Sequence, residues 1–187
     1  MKPQLNHFIL LDFDKFNLCF SSINREEIKP VSILDILKDD RLSNEDKIYL
    51  FTQKDVVNRK VARLFAVRCA RSVKGIIEHK KCLETLDMIE ALTLDGGRIN
   101  LNQTCQDAIH LASKAATEVK FPTSWARLAV SYAGLDDEYE AARFASERAA
   151  NAAAYDADPA MIDNTRETIM STQVKIAIDL INEFYEV

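Results

Sequence analysis

Glycine and proline are scarce in this sequence, with four residues of each among 187. Turn-rich β folds need more of both, because these residues supply most tight turns. Aromatic residues make up only 8% of the chain. No segment approaches the roughly 20 consecutive apolar residues of a membrane-spanning helix. These absences favour long α-helices and argue against a membrane protein.

The sequence also lacks paired cysteines. Its four cysteines are Cys19, Cys69, Cys82 and Cys105, and no two of them have C-x-x-C spacing. This spacing argues against a zinc knuckle or a thioredoxin-like redox pair. Reduced, buried cysteines are typical of a reducing compartment. Because the N-terminal segment does not have the pattern of a signal peptide, we expect a cytoplasmic protein.

Motifs that carry chemistry are missing as well. The sequence has no glycine-rich phosphate loop, no nucleophile elbow and no recognised Cys-His spacing. The histidines, His7, His79 and His110, lie far apart in the chain. Asp12 and Asp14 have the spacing of a metal pair, but a turn is the better interpretation because no other ligands are nearby. We therefore predict no catalytic residues, no metal, no cofactor and no enzymatic activity.

The hydrophobic pattern predicts an all-α fold. Residues 1–30 are apolar without helical periodicity, which predicts a small β or irregular element. Residues 31–187 predict a single bundle domain of six to eight helices. The predicted helices begin near Ser32, near Ser43 or Asn44, and near Lys54 or Asp55, and later ones cover about 81–93, 102–119, 124–134, 136–158 and 160–184.

The segment VNRKVARLFAVRCARSVKGIIEHKK, residues 57–81, is both apolar and basic. At 100° per residue, Val61, Phe65 and Cys69 share one side of a helix. The opposite side carries a basic stripe formed by Lys60, Arg63, Val67, Arg71 and Lys74. Between positions 54 and 74 there are seven lysines or arginines and one acidic residue. We predict a core face opposite a basic face that either binds a partner or is simply solvated.

The segment from 136 to 167 has the opposite charge, with nine acidic residues and three arginines. Its first carboxylates, Asp136, Asp137 and Glu140, are predicted to bind a partner. Two alternatives remain open. The acidic segment meets the basic helix within one molecule, or it meets the basic helix of a second copy in a homodimer.

A short internal similarity links two of the predicted helices. VARLFAV at 61–67 is similar to WARLAV at 125–130, with one residue skipped. Chance matches are common in helices rich in alanine and leucine, so one such pair is weak evidence for duplication.

Residues 31–155 resemble a known family. The segments SILDILKDD, LSNEDKIYLFTQKD and KVARLFAVRCARSVKGII, followed by alanine-rich helices, are similar to immunity proteins of the immunity-protein-five-like group, whose relatives occur in bacterial toxin loci and phage genomes. The resemblance implies an all-α bundle that neutralises another protein by binding it. The implied partner is a bacterial toxin or a defence-system protein.

These observations lead to one expected function and two alternatives. We expect a non-catalytic, stoichiometric protein-binding inhibitor with an immunity or anti-defence role. The first alternative is binding of an anionic ligand or nucleic acid through the basic helix at 54–81, which the net charge of -5 disfavours. The second is a helical homo-oligomeric scaffold. We expect no contact with membranes.

Overall fold

The computed structural model describes residues 32–186 except 55, 78, 97–109, 111–112, 115–116 and 118–121. Within these residues the fold is all-α, as predicted, with eight helices and no strands. The helices are α1 Ile33–Lys38, α2 Asn44–Phe51, α3 Arg59–Ser72, α4 Lys74–Ile77, α5 Lys80–Gly96, α6 Thr123–Ala133, α7 Glu138–Asp156 and α8 Ile162–Phe184. A short 3₁₀ turn, Pro159–Met161, precedes α8. The predicted N-terminal element and most of the predicted helix at 102–119 lie outside the described residues.

Side-chain caps fix the starts of the first two helices. The Ser32 hydroxyl accepts a hydrogen bond from the backbone N–H of Asp35, and the Asp35 carboxylate accepts one from the backbone N–H of Ser32. This reciprocal capping box satisfies two otherwise unpaired donors. Ser43 caps α2 with its side chain, which accepts from the N–H of Asp46 at 3.1 Å. The predicted start at Ser32 is confirmed, and of the two candidates Ser43 and Asn44 the structure selects Ser43 as the cap.

Helix α3 begins later than predicted. Its N-cap is Asn58, whose side chain accepts from the N–H of Val61 at 2.9 Å. The prediction of a start near Lys54 or Asp55 is therefore wrong. Val56 and Val57 instead lie buried in the turn before the helix. The apolar periodicity continues through these valines, although the backbone there is not helical.

Helices α3 and α7 form the centre of the bundle. Helix α3 contacts α5, α6, α7 and α8, while α7 also contacts α6 and α8. Both helices contribute to two groups of core residues, one with α1, α2 and α8 and the other with α5 and α6. Because α3 is surrounded, every side chain from 61 to 67 is buried. The prediction that Val67 lies on an exposed face is therefore wrong.

The longest helix, α8, has 23 residues. Its core contacts come from Met170, Val174, Ala177, Leu180 and Ile181, which recur at helical spacing along one side. Charged residues, among them an exposed lysine at 175, occupy its other side. Of the helices in the described residues, none is both long enough and apolar enough to cross a membrane.

Tyr185 connects the end of α8 to the start of α3. Its side chain is 7% exposed, and its hydroxyl oxygen accepts a hydrogen bond from the backbone N–H of Asn58 at 2.7 Å. Burial raises the pKa of Tyr185 above its usual value, and although the hydrogen bond from Asn58 opposes this shift, nearby Tyr139 adds to it. The fold therefore favours the neutral phenol.

We expect Tyr185→Phe to lower the free energy of unfolding by about 1 kcal/mol, because the partly buried hydrogen bond from the N–H of Asn58 loses its acceptor. The pKa of Tyr185 is higher in the folded protein than in the unfolded chain. The stabilisation that this difference provides is therefore fully present at pH values below the ordinary tyrosine pKa. It is lost as the pH rises through the pKa of Tyr185 in the folded protein. Urea unfolding at neutral and alkaline pH measures both effects. The stability of the variant should fall less steeply at alkaline pH than that of the wild type.

The control for this prediction is Tyr49→Phe, since Tyr49 is 36% exposed. It should leave the stability at neutral pH unchanged. Equal alkaline slopes for the wild type and Tyr185→Phe would contradict the assignment.

Candidate functional site

Arg63 is not a surface residue. Its side chain is 2% exposed. Its Nη1 donates to the backbone oxygen of Ala133 at 2.8 Å, and its Nη2 donates to that of Asp136 at 3.2 Å. Nη2 also lies 3.9 Å from a carboxylate oxygen of Glu138. The prediction that Arg63 lies on an exposed partner-binding face is therefore wrong, because the guanidinium caps the C-terminal end of α6 inside the bundle.

Other cations of the predicted stripe have partners within the chain. The Lys60 Nζ donates to the backbone oxygen of Leu94 at 3.1 Å and lies 5.4 Å from the ring centroid of Phe184. The Arg71 guanidinium pairs with Glu90 at 2.7 Å and with Asp87 at 3.1 Å. Lys60 and Arg71 therefore stabilise the packing of α5 against α3, and two carboxylates offset the charge of Arg71.

One predicted alternative is that the basic helix pairs with the acidic segment at 136–167 within one molecule. Few of the ion pairs made by the basic helix are of this kind. Among the described residues such pairing is represented by the long contact between Arg63 and Glu138. Arg68 pairs instead with Glu183 near the end of α8, at 2.8 Å. Lys74 is exposed and forms no ion pair with the described residues. Helix α3 therefore does not present a continuous basic stripe, and Lys74 is the predicted cation that has no partner among the described residues.

The predicted acidic residues are exposed at the start of α7. The Asp137 side chain caps the helix by accepting from the N–H groups of Tyr139 and Glu140, both at 2.9 Å. Asp136 and Glu140 make no ion pair with any described residue. An acid at a helix N-terminus is favourable without any partner. The structure therefore brings these three carboxylates together, but it also gives one of them a local structural role.

A second acidic surface, which we call the hairpin tip, comprises residues 155–163 between α7 and α8. Tyr155 is 57% exposed and Met161 is 49% exposed. The exposed carboxylates of Asp156, Asp158 and Asp163 lie beside them in the chain. No lysine or arginine occurs between positions 148 and 166. The hairpin tip therefore combines large apolar side chains with carboxylates that pair with no lysine or arginine of the described residues.

Internal hydrogen bonds order the hairpin tip. The Asp158 side chain accepts from the N–H of Ala160 at 2.9 Å, and its backbone oxygen accepts from the N–H of Met161 at 2.7 Å. Pro159 occupies the first position of the 3₁₀ turn, where its fixed φ limits the alternatives. A partner would meet a turn that is already folded, so little conformational entropy would be lost on binding.

A cleft of about 250 Å³ lies between α2, α7 and α8. Apolar side chains from Ile48, Tyr49 and Met170 form part of its wall. The other lining residues are polar or charged, namely Glu45, Thr52, Arg143, Ser146, Glu147, Arg166 and Gln173. The cleft therefore joins an apolar wall to a charged rim.

The described residues provide no cluster of three or more histidine, cysteine or acidic side chains suited to a metal ion. Cys69 and Cys82 are free and buried. Burial raises the pKa of the Cys69 thiol well above its usual range. It also raises the pKa of Cys82, although Arg127 opposes that shift. Both cysteines are therefore thiols at neutral pH. The two aspartates considered as a metal pair, Asp12 and Asp14, lie outside the described residues.

Comparisons with known proteins gave no match: no family model, no curated protein and no solved structure is similar to this chain. The resemblance to immunity proteins therefore stays a prediction. Fold alone does not assign a function, so any functional argument must come from the surfaces themselves.

Inspection of the sequence missed the hairpin tip and the cleft. The signal for the tip was present, because a break at Asp158-Pro159 carrying Tyr155 and Met161 places large apolar residues in a turn. The cleft gave no such signal, since Tyr49, Arg143 and Gln173 lie on three helices that are distant in sequence.

Proposed function

We propose that the chain inhibits another protein by binding it one to one, with the hairpin tip as the contact surface. The observation that carries this proposal is the exposure of Tyr155 and Met161 within an acidic turn. Aromatic residues and methionine are enriched at protein interfaces, usually surrounded by a polar rim. We infer a partner with a basic surface, and the resemblance to immunity proteins supports a bacterial toxin or defence enzyme as its class.

The charge around the hairpin tip supports a basic partner. The two nearest arginines in sequence are both engaged elsewhere, since Arg166 pairs with Glu45 and Arg148 stacks on Trp125 at 4.3 Å. Complementary charge would speed association and exclude partners with acidic surfaces. The apolar side chains would supply the contact area that is buried on binding.

The structure gives little support to binding of an anionic ligand or nucleic acid through the basic helix at 54–81. It requires a basic face along the helix at 54–81, and Arg63 is buried while Lys60 and Arg71 have intramolecular partners. A phosphate backbone would need several exposed cations along one surface. Protein binding through the hairpin tip is therefore the better-supported proposal.

The test compares two sets of substitutions that each remove three negative charges. One is Asp156→Asn with Asp158→Asn and Asp163→Asn at the hairpin tip, and the other is Asp136→Asn with Asp137→Asn and Glu140→Gln at the start of α7. A partner captured from host lysate is purified, and its affinity for each variant is measured by calorimetry. We expect a basic partner, one-to-one stoichiometry and binding at least about tenfold weaker for the tip variant alone.

The apolar contribution is tested by Tyr155→Ala with Met161→Ala, again with binding at least about tenfold weaker. The proposal would be contradicted by an acidic partner, or by a partner that binds both tip variants as tightly as it binds the wild type. Loss of binding only in the α7 variant would instead assign the contact surface to Asp136, Asp137 and Glu140. Self-association in sedimentation measurements would favour the homo-oligomer instead.

A further inference from the structure

We infer that the cleft between α2, α7 and α8 is a binding site for a small organic acid, with a carboxylate at Arg143 and an apolar body against the wall. This inference is independent of the proposed function, since the residues of the hairpin tip do not line the cleft. At about 250 Å³ the cleft lies just below the size range of sites for drug-sized molecules. It suits a single ring or a short chain.

The ion pairs on the rim leave the guanidinium of Arg143 available for an anionic ligand. Glu45 pairs with Arg166, with two N···O distances of 3.4 Å. Glu147 lies 3.6 Å from the guanidinium of Arg148. Arg143 has no acidic partner among the described residues. The two glutamates and two arginines that line the cleft sum to zero charge, but Arg143 is the one of the four that has no ion pair with a described residue.

The position of Arg143 suits the capture of a carboxylate. Its guanidinium carbon lies 4.6 Å from the ring centroid of Phe144. Stacking on an aromatic ring holds the planar group but leaves its edge N–H groups free to donate. These N–H groups match the two oxygens of a carboxylate in a bidentate arrangement.

The inner wall offers polar groups that are already fixed in place. Gln173 is 1% exposed, and its Nε2 donates to the backbone oxygen of Ser146 at 2.9 Å. The Ser146 hydroxyl donates to the backbone oxygen of Arg143 at 2.8 Å. Within the described part of the chain, nothing donates to the side-chain oxygen of Gln173. A hydroxyl on the ligand would satisfy that oxygen.

The apolar wall of the cleft determines which chemical groups the ligand carries beyond its carboxylate. Ile48 and Met170 are each 6% exposed, whereas Tyr49 is 36% exposed. A methionine and an aromatic ring adapt to flat apolar groups. The ligand class is therefore a carboxylic acid on an aromatic or short aliphatic body.

Phenylacetate is the probe that tests this site, with phenethylamine as a cation on a similar body. Binding is followed by NMR chemical shifts and calorimetry on the full chain. We expect saturable binding of phenylacetate at millimolar concentration, because so small a ligand makes few contacts. Shifts should concentrate at Tyr49, Met170 and Gln173, and phenethylamine should not bind.

The matched pair of variants is Arg143→Gln and Arg59→Gln. Both arginines are exposed, but Arg59 does not line the cleft. Arg143→Gln should weaken phenylacetate binding at least about tenfold, the loss expected for a charge-assisted pair. Arg59→Gln should leave it unchanged, and both variants should unfold at the wild-type temperature.

Three results would overturn the inference. The first is the absence of chemical shift changes at the cleft with millimolar phenylacetate and folded protein. The second is equal binding of phenethylamine, which would mean that charge is not recognised. The third is equal affinity for phenylacetate in Arg143→Gln and the wild type. None of these outcomes bears on the hairpin tip, so failure here leaves the proposed function standing.

Discussion

Arg63→Ala is expected to lower the free energy of unfolding by about 3 to 5 kcal/mol, the range for removing one partner of a buried charged pair. The substitution leaves the backbone oxygen of Ala133 without its donor inside the bundle. It also leaves Glu138, which is 9% exposed, without its cation. Urea unfolding followed by circular dichroism measures the change.

Two variants make this prediction specific. Arg59→Ala removes an exposed arginine at the start of the same helix, so its effect should stay within about 0.5 kcal/mol. Arg63→Lys keeps the charge but cannot reproduce the two divergent hydrogen bonds of the guanidinium, so its stability should lie between those of the wild type and Arg63→Ala. A loss below about 1 kcal/mol for Arg63→Ala would contradict the buried capping role.

Arg63 also explains where the sequence was misleading. Helical periodicity places it opposite Val61 and Phe65, and an arginine in that position normally faces water. The prediction failed because α3 has neighbours on all sides, a property of the tertiary arrangement that a single helix does not reveal. The sequence did contain one signal for the burial of Arg63, namely the similarity of VARLFAV to WARLAV, in which Arg63 and Arg127 occupy matching positions. Arg127, in the second segment, is also buried and donates to the last backbone oxygen of α4 at 3.1 Å.

Several features that depend on neighbouring residues were predicted correctly, although the start of α3 at Asn58 was not. The caps at Ser32 and Ser43 and the end of α6 at Gly134 depend on residues only a few positions apart. The cleft and the partners of Lys60 and Arg71 depend on how separate helices pack. A charge count along the chain could not show that α5 carries the carboxylates that meet Arg71.

The alanine-rich face of α7 determines how closely the central helices approach. Ala145 and Ala149 are fully buried, and they belong to the same core group as Ala66 and Ala70 of α3. Alanines of α6, including Ala129, complete the contact. Small side chains at such contacts allow short distances between helix axes. Because these alanines are fully buried in the core, a larger side chain at Ala145 has to displace its neighbours.

We expect Ala145→Leu to lower the free energy of unfolding by about 3 kcal/mol, at the upper end of the usual cost of overpacking, because α7 is held between α3 and α6. The control is Ala91→Leu, at an exposed position inside α5. Alanine and leucine have similar helix propensities, so this second variant should keep nearly the wild-type stability. Urea unfolding of both variants separates overpacking from any general effect of leucine. If Ala145→Leu is as stable as Ala91→Leu, the central helices are less closely packed than the alanine contact requires.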